Sequence, residues 1–72
     1  MRLNYYKDTD SLYIDLSSNK SVENKEVSPG VVLDYDSSGN LAGIDIDNAS
    51  RKLDLNELIV NHLPSGKQII AA

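Results

Sequence analysis

Residues 27–46, VSPGVVLDYDSSGNLAGIDI, decide the fold. They hold two turns and two alternating runs. Ser28-Pro29-Gly30-Val31 reads as a type II turn, with Pro presetting φ at the second position and Gly supplying the positive φ at the third. Val31 to Tyr35 is a strand, Ser37-Ser38-Gly39-Asn40 turns the chain, and Leu41 to Asp47 returns. With Ser38-Gly39 as the loop centre, Leu33 faces Ile44, Val31 faces Ile46 and Tyr35 faces Ala42. These six apolar residues share one side. Val32, Asp34, Asp36, Leu41, Gly43 and Asp45 take the other.

Upstream, a second hairpin is legible. Leu3 to Tyr6 alternates, Lys7-Asp8-Thr9-Asp10 is a polar turn, and Ser11 to Leu16 alternates again. A four-residue loop sets Tyr6 opposite Ser11, Tyr5 opposite Leu12 and Leu3 opposite Ile14, which gathers the apolar residues on one face. Between the hairpins, Val22 to Val27 is the weakest strand. Glu23, Asn24, Lys25 and Glu26 are polar, so it belongs at a sheet edge. Its apolar ends share a face only if a bulge intervenes.

Downstream the period changes. Leu55, Leu58, Ile59, His62 and Leu63 follow helical spacing. Asp54 and Glu57 suit a capping box, and Leu53 with Leu58 suit a hydrophobic staple. A helix is expected over about 54–62, with an added turn at 48–52, ended by Pro64-Ser65-Gly66. Residues 64–72 form a short tail. An apolar sheet face and an apolar helix stripe need each other. The expected architecture is α+β: one domain over residues 1–72, an antiparallel β-meander of about five strands (about 3–47), and a C-terminal helix packed on one face.

Seventy-two residues allow one modest core. There is no cysteine, so disulfides and thiolate metal sites are excluded. Eleven acidic residues against seven basic ones give a net charge of −4. The bases are scattered, which argues against a nucleic-acid partner. No apolar run reaches the length of a membrane span, and MRLNYYKDTD lacks the apolar core of a signal peptide. A cytoplasmic protein with no membrane partner is expected.

Two constellations bear on chemistry. Asp34-x-Asp36-x-Ser38-Gly39 has the oxygen spacing that begins a calcium loop. Its flanks are strands and its twelfth place is Asp45 rather than Glu, so an ordinary turn rich in Asp, Ser and Gly explains it as well. The second is the sheet face away from the helix, where alternation collects Asp15, Asp34 and Asp45 with Tyr6 and Tyr13; Asp47 continues the parity. Like charges on neighbouring strands are mildly unfavourable, although a solvated face tolerates them. His62 is the only histidine and falls on the apolar helix stripe, where a structural role is the ordinary one. No Ser, His or Gly pattern assembles a catalytic set, and no cofactor is implied.

YYKDTDSLYIDL (5–16) and EVSPGVVLDYDSSGNLAGIDIDNAS (26–50) resemble the YuzE-like family of small prokaryotic proteins, a domain of unknown function. Tyr5, Asp10, Leu12, Tyr13 and Ile14 match the first family motif, with Tyr6-Lys7 where Asp-Pro is usual. Pro29-Gly30, Asp34, Gly39, Gly43-Ile44 and Ala49-Ser50 match the second. The resemblance implies a small α+β fold and brings no catalytic residues. Some members lie beside small toxin-like genes, which implies a neutralising-partner role.

The sequence therefore points to a non-enzymatic interaction module using Tyr6, Tyr13, Asp15, Asp34 and Asp45. Its partner would be a second copy or one small basic protein. The alternative is a divalent-metal or small-ligand domain using Asp34, Asp36, Asp45 and Asp15. An enzyme would need a site shared between subunits.

Overall fold

A computed structural model of the chain describes residues 1–64. Five strands form one antiparallel sheet: β1 (Arg2–Tyr6), β2 (Ser11–Asp15), β3 (Glu23–Ser28), β4 (Val31–Tyr35) and β5 (Leu41–Ile46). One short helix follows, α1 (Ala49–Lys52). The expected tail lies mostly outside the described residues.

The strand order is β1-β2-β5-β4-β3, which corrects the expected meander. After β2 the chain crosses one end of the sheet to the far edge, and β5 then returns to pair with β2. Strands β2 to β5 thus form a Greek key. A sequential meander would bury β3, with Glu23, Lys25 and Glu26, between two neighbours, at a desolvation cost no partner offsets. The observed order puts β3 at an edge, with all six residues exposed. The centre goes to β5, whose Ala42, Gly43 and Ile46 are buried.

The first hairpin has the expected register, with Leu3 opposite Ile14, Tyr5 opposite Leu12 and Tyr6 opposite Ser11. In the second, Leu33 faces Ile44 and Val31 faces Ile46 as expected, but Tyr35 faces Leu41 rather than Ala42. The turn explains the slip. Asp36 and Asn40 close it, through the Asp36 N–H to the Asn40 carbonyl at 2.8 Å and the Gly39 N–H to the Asp36 carbonyl at 3.0 Å. Three residues, with Gly39 at φ 80°, occupy the loop, the tight-turn geometry that shifts pairing by one. A bulge at Ala42 restores the register before Gly43. At β3 the pairing also shifts, between Glu26 and Ser28. The bulge falls at Val27; a bulge is the condition for Val22 and Val27 to share a face, and both residues remain exposed.

The core is small. Leu12, Ile46 and Ala49 are buried together, with Ile14, Val31 and Ile44 packed against them. Ala49 has no exposed surface, so the first residue of α1 completes this core. The helix expected at 54–62 is absent. Residues 53–64 are not helical, Leu58 and Ile59 are 73% and 66% exposed, and His62 has φ 56°. At Leu53 the backbone turns extended (φ −131°, ψ 152°), which stops α1 at one turn. A nine-residue helix does not pay for its own nucleation in water unless its stripe is docked.

Candidate functional site

Two tyrosine–aspartate pairs organise the polar chemistry of the sheet. The first lies where the β1–β2 turn meets α1. The Tyr5 hydroxyl donates to Asp10 Oδ1 at 2.8 Å. Asp10 adopts φ 52°, a left-handed conformation that Asp tolerates better than most side chains. This turns its carbonyl and carboxylate toward the start of α1. The carbonyl accepts the Ala49 N–H at 2.8 Å, and the carboxylate accepts the Ser50 N–H at 3.1 Å and the Ser50 hydroxyl at 2.7 Å. Asn48 stands at the cap position yet makes no side-chain cap bond. Asp10 therefore caps the helix from another element. The Ser50 hydroxyl foremost, with Tyr5, holds the Asp10 carboxyl below its ordinary pKa. The bond to Asp10 raises the Tyr5 phenol. At the other end of α1, Lys52 Nζ donates to the Pro29 carbonyl at 3.1 Å and to the Asp47 carbonyl at 2.6 Å. One turn of helix thus clasps the β1–β2 and β3–β4 turns together.

The second pair lies on the opposite face. Tyr13 stands opposite Asn4 on β1 and Asp45 on β5. Its ring reaches across β5 so that the hydroxyl donates to Asp34 Oδ2 on β4, at 2.8 Å. That path runs over Gly43, where a Cβ would lie 2.7 Å from the ring carbon Cζ. Glycine is needed there for the crossing. The hydrogen bond to Asp34, then burial, then the charges of Asp34, Asp15 and Asp45 push the Tyr13 phenol up to about 12. Burial, followed by the charges of Asp47 and Asp34, raises the Asp45 carboxyl.

The five residues singled out in the sequence share this face by register. Tyr13, Asp34 and Asp45 are brought together, and Asp15 is close enough to act on Tyr13. Asp15 ends β2 opposite Arg2 and Gly43. Tyr6 is remote, 54% exposed on the β1 edge. Asp36 does not join them. It is buried, with Oδ1 accepting the N–H groups of Ser38 and Asn40 at 2.9 Å each and Oδ2 accepting from Asn19 at 3.0 Å. These bonds, led by that from Asn40, lower its pKa. The Asp-x-Asp-x-Ser-Gly run is thus a turn whose second aspartate ties down the β2–β3 crossing loop. Among the described residues, no group of three or more His, Cys, Asp or Glu side chains is arranged to hold a metal ion. Nor is any helix among them long and apolar enough to cross a membrane.

Sequence reading missed the Asp10–Ser50 cap. The only available signal was an Asp at the end of a polar turn, which does not name a partner forty residues away. It also missed Lys52. Tyr5, Asp10, Tyr13, Asp34, Gly43 and Ser50, six of the residues on which the family resemblance rests, all serve these two pairs. No match is found among curated proteins or among solved structures. A family model described as "Protein of unknown function (DUF2283)" matches residues 2–50, which span all five strands and the first two residues of α1. The chain belongs to the DUF2283 family of proteins of unknown function.

Proposed function

We propose that the chain is a small non-enzymatic interaction module whose outer sheet face receives a small basic protein. Tyr13, Asp34, Asp45 and Asp15 form the centre of that face, with Tyr6 at its margin. The observation behind this reading is the state of Asp45. Its carboxyl is raised by burial and by two neighbouring acids, so a cation-bearing surface laid on the face would relieve a repulsion already present. An aromatic ring fixed among carboxylates suits a protein contact, and charge complementarity would speed its formation. The net charge of −4 acts in the same direction at longer range.

An antitoxin-like role is the specific version. The partner would be harmful when expressed alone and silenced by this chain. The cation-binding reading of the same face draws less support, because Asp36 commits both carboxylate oxygens to its turn and to Asn19.

The test is affinity capture from native lysate with the wild-type chain and with an Asp15→Asn, Asp34→Asn, Asp45→Asn triple variant. The expected result is a stoichiometric small basic protein, weakened by salt and lost with the triple variant. Retention of the same protein by the triple variant, or recovery of none by the wild type, would sink the proposal.

A further inference from the structure

The sheet has two edges, and they are built differently. An open edge carries unpaired backbone N–H and C=O groups and is a template for another strand. β3 is guarded by Glu23, Lys25 and Glu26 and broken by the bulge at Val27. β1 reads Arg-Leu-Asn-Tyr-Tyr and has no acid, no proline and no break in its five-residue register with β2. Among the described residues β2 is its only strand neighbour. Leu3, Tyr5 and Tyr6 are 44%, 48% and 54% exposed along it. Tyr5 is also held in place by its bond to Asp10, so little side-chain freedom remains to be lost on contact.

The occupant follows from the pattern of β1 itself. In an antiparallel pairing of β1 with a second β1, a twofold axis at Asn4 sets Leu3 opposite the partner's Tyr5 and Arg2 opposite the partner's Tyr6. The first pair joins aliphatic to aromatic on the apolar face, continuous with Leu12 and Ile14 across the hairpin. The second places a guanidinium beside an aromatic ring on the outer face. Asn4 meets the partner's Asn4, whose amide can donate and accept. No like charges meet. β3 is the poorer edge: centred on Lys25 it sets lysine against lysine, centred on Glu26 it sets glutamate against glutamate, and centred on Asn24 it sets Glu23 against Lys25 without bringing any two apolar residues together. Pairing β1 with a second copy's β3 would have to pass the bulge and would leave further edges open.

We propose that β1 is a self-association edge through which two copies join antiparallel about a twofold axis at Asn4. The result is one continuous ten-stranded sheet. This edge shares only Tyr6 with the acidic face, and the Asn4 variants below leave Asp15, Asp34 and Asp45 in place, so it stands or falls separately from the function proposed above. One short strand per copy makes a small interface, so the dimer is concentration-dependent.

Sedimentation equilibrium over a wide concentration range tests it, using the wild type and two variants, Asn4→Lys and Asn4→Asp. Each variant places like charges directly opposite on the axis. The wild type should dimerise, and each variant alone should stay monomeric with an unchanged circular dichroism spectrum. An equimolar mixture of the two should dimerise again, because lysine then faces aspartate. A second measurement needs no substitution: amide exchange in residues 2–6 of the wild type should slow as concentration rises, while exchange in residues 23–28 does not. A wild type that is monomeric throughout, a dimer indifferent to Asn4→Lys, a mixture that fails to re-associate, or β1 exchange independent of concentration would each overturn the proposal.

Discussion

Tyr5–Asp10 and Tyr13–Asp34 are the same chemical pair at the same 2.8 Å separation, and they do opposite things. Around Asp10 the neighbours are donors: the Ser50 N–H and hydroxyl and the Tyr5 phenol. The carboxylate is satisfied and its pKa falls. Around Tyr13 the neighbours are acids, and the phenol rises to about 12 while Asp45 rises with it. The first pair closes the fold. The second leaves a negative potential on the surface. A hydrogen bond's role is thus set by what surrounds it, more than by its length.

The comparison breaks most readily at Asp10. Asp10→Ala removes the carboxylate's bonds to Ser50 and Tyr5, leaving only the Asp10 carbonyl on the Ala49 N–H to join the hairpin to α1. Thermal unfolding at neutral pH should fall by about 4–8 °C, the effect of a lost N-cap in a domain of this size. Asp34→Ala should cost less than half of that, because it also removes repulsion from Asp45. Equal losses would end the distinction between the two pairs.

The next effect is spectroscopic. Titrated by ultraviolet absorbance, one phenol should ionise last, near pH 12, and Tyr13→Phe should abolish that step. Gly43→Ala should move it back toward 10 by displacing the ring from its path to Asp34. A raised phenol pKa stabilises the fold below the ordinary value of 10.0, and that contribution is lost as pH rises to about 12. Persistence of the late step in Tyr13→Phe would reassign it.

The smallest effects separate the two sites by sign in acid. Asp10 has a lowered pKa, so its contribution is present above the ordinary carboxyl value of 3.8 and is lost as pH falls through the lowered one. Asp45 has a raised pKa, so its contribution is present below 3.8 and is lost as pH rises through the raised value. Asp45→Asn should therefore raise thermal stability slightly at neutral pH and change nothing in strong acid. A loss of stability at neutral pH would show that its charge is already compensated within the chain.

Much of this was legible in the residues, and the rest was not for definite reasons. A four-residue turn at 7–10 sets the β1–β2 register, and alternation supports it by keeping Leu3, Tyr5, Leu12 and Ile14 on one face. The same parity put Asp15, Asp34 and Asp45 on one side, and it tied a shared face for Val22 and Val27 to a bulge without saying where one would fall. What parity does not carry is distance. It places Tyr13 and Asp34 on one face without showing that the ring crosses Gly43 to reach the carboxylate. Turn length was ambiguous too, since Ser37-Ser38-Gly39-Asn40 permits a two- or a three-residue loop. The choice rested on Asp36 accepting two backbone N–H groups. The strand order contradicted a simple meander because β3 is too polar for the interior. The helix was misplaced because Asp54 and Glu57 offer good local capping, whereas α1 takes its cap from a distant turn.

That borrowed cap has a kinetic consequence. Four helical residues cannot nucleate alone, and the groups that satisfy Ala49 and Ser50 arrive only when the β1–β2 turn has been carried beside the end of β5. Local hairpins form early, whereas the β2–β5 pairing must first close a long loop. α1 is then expected to form last, after the Greek key has closed. The shortest of the described elements becomes the reporter that the five strands have found their places.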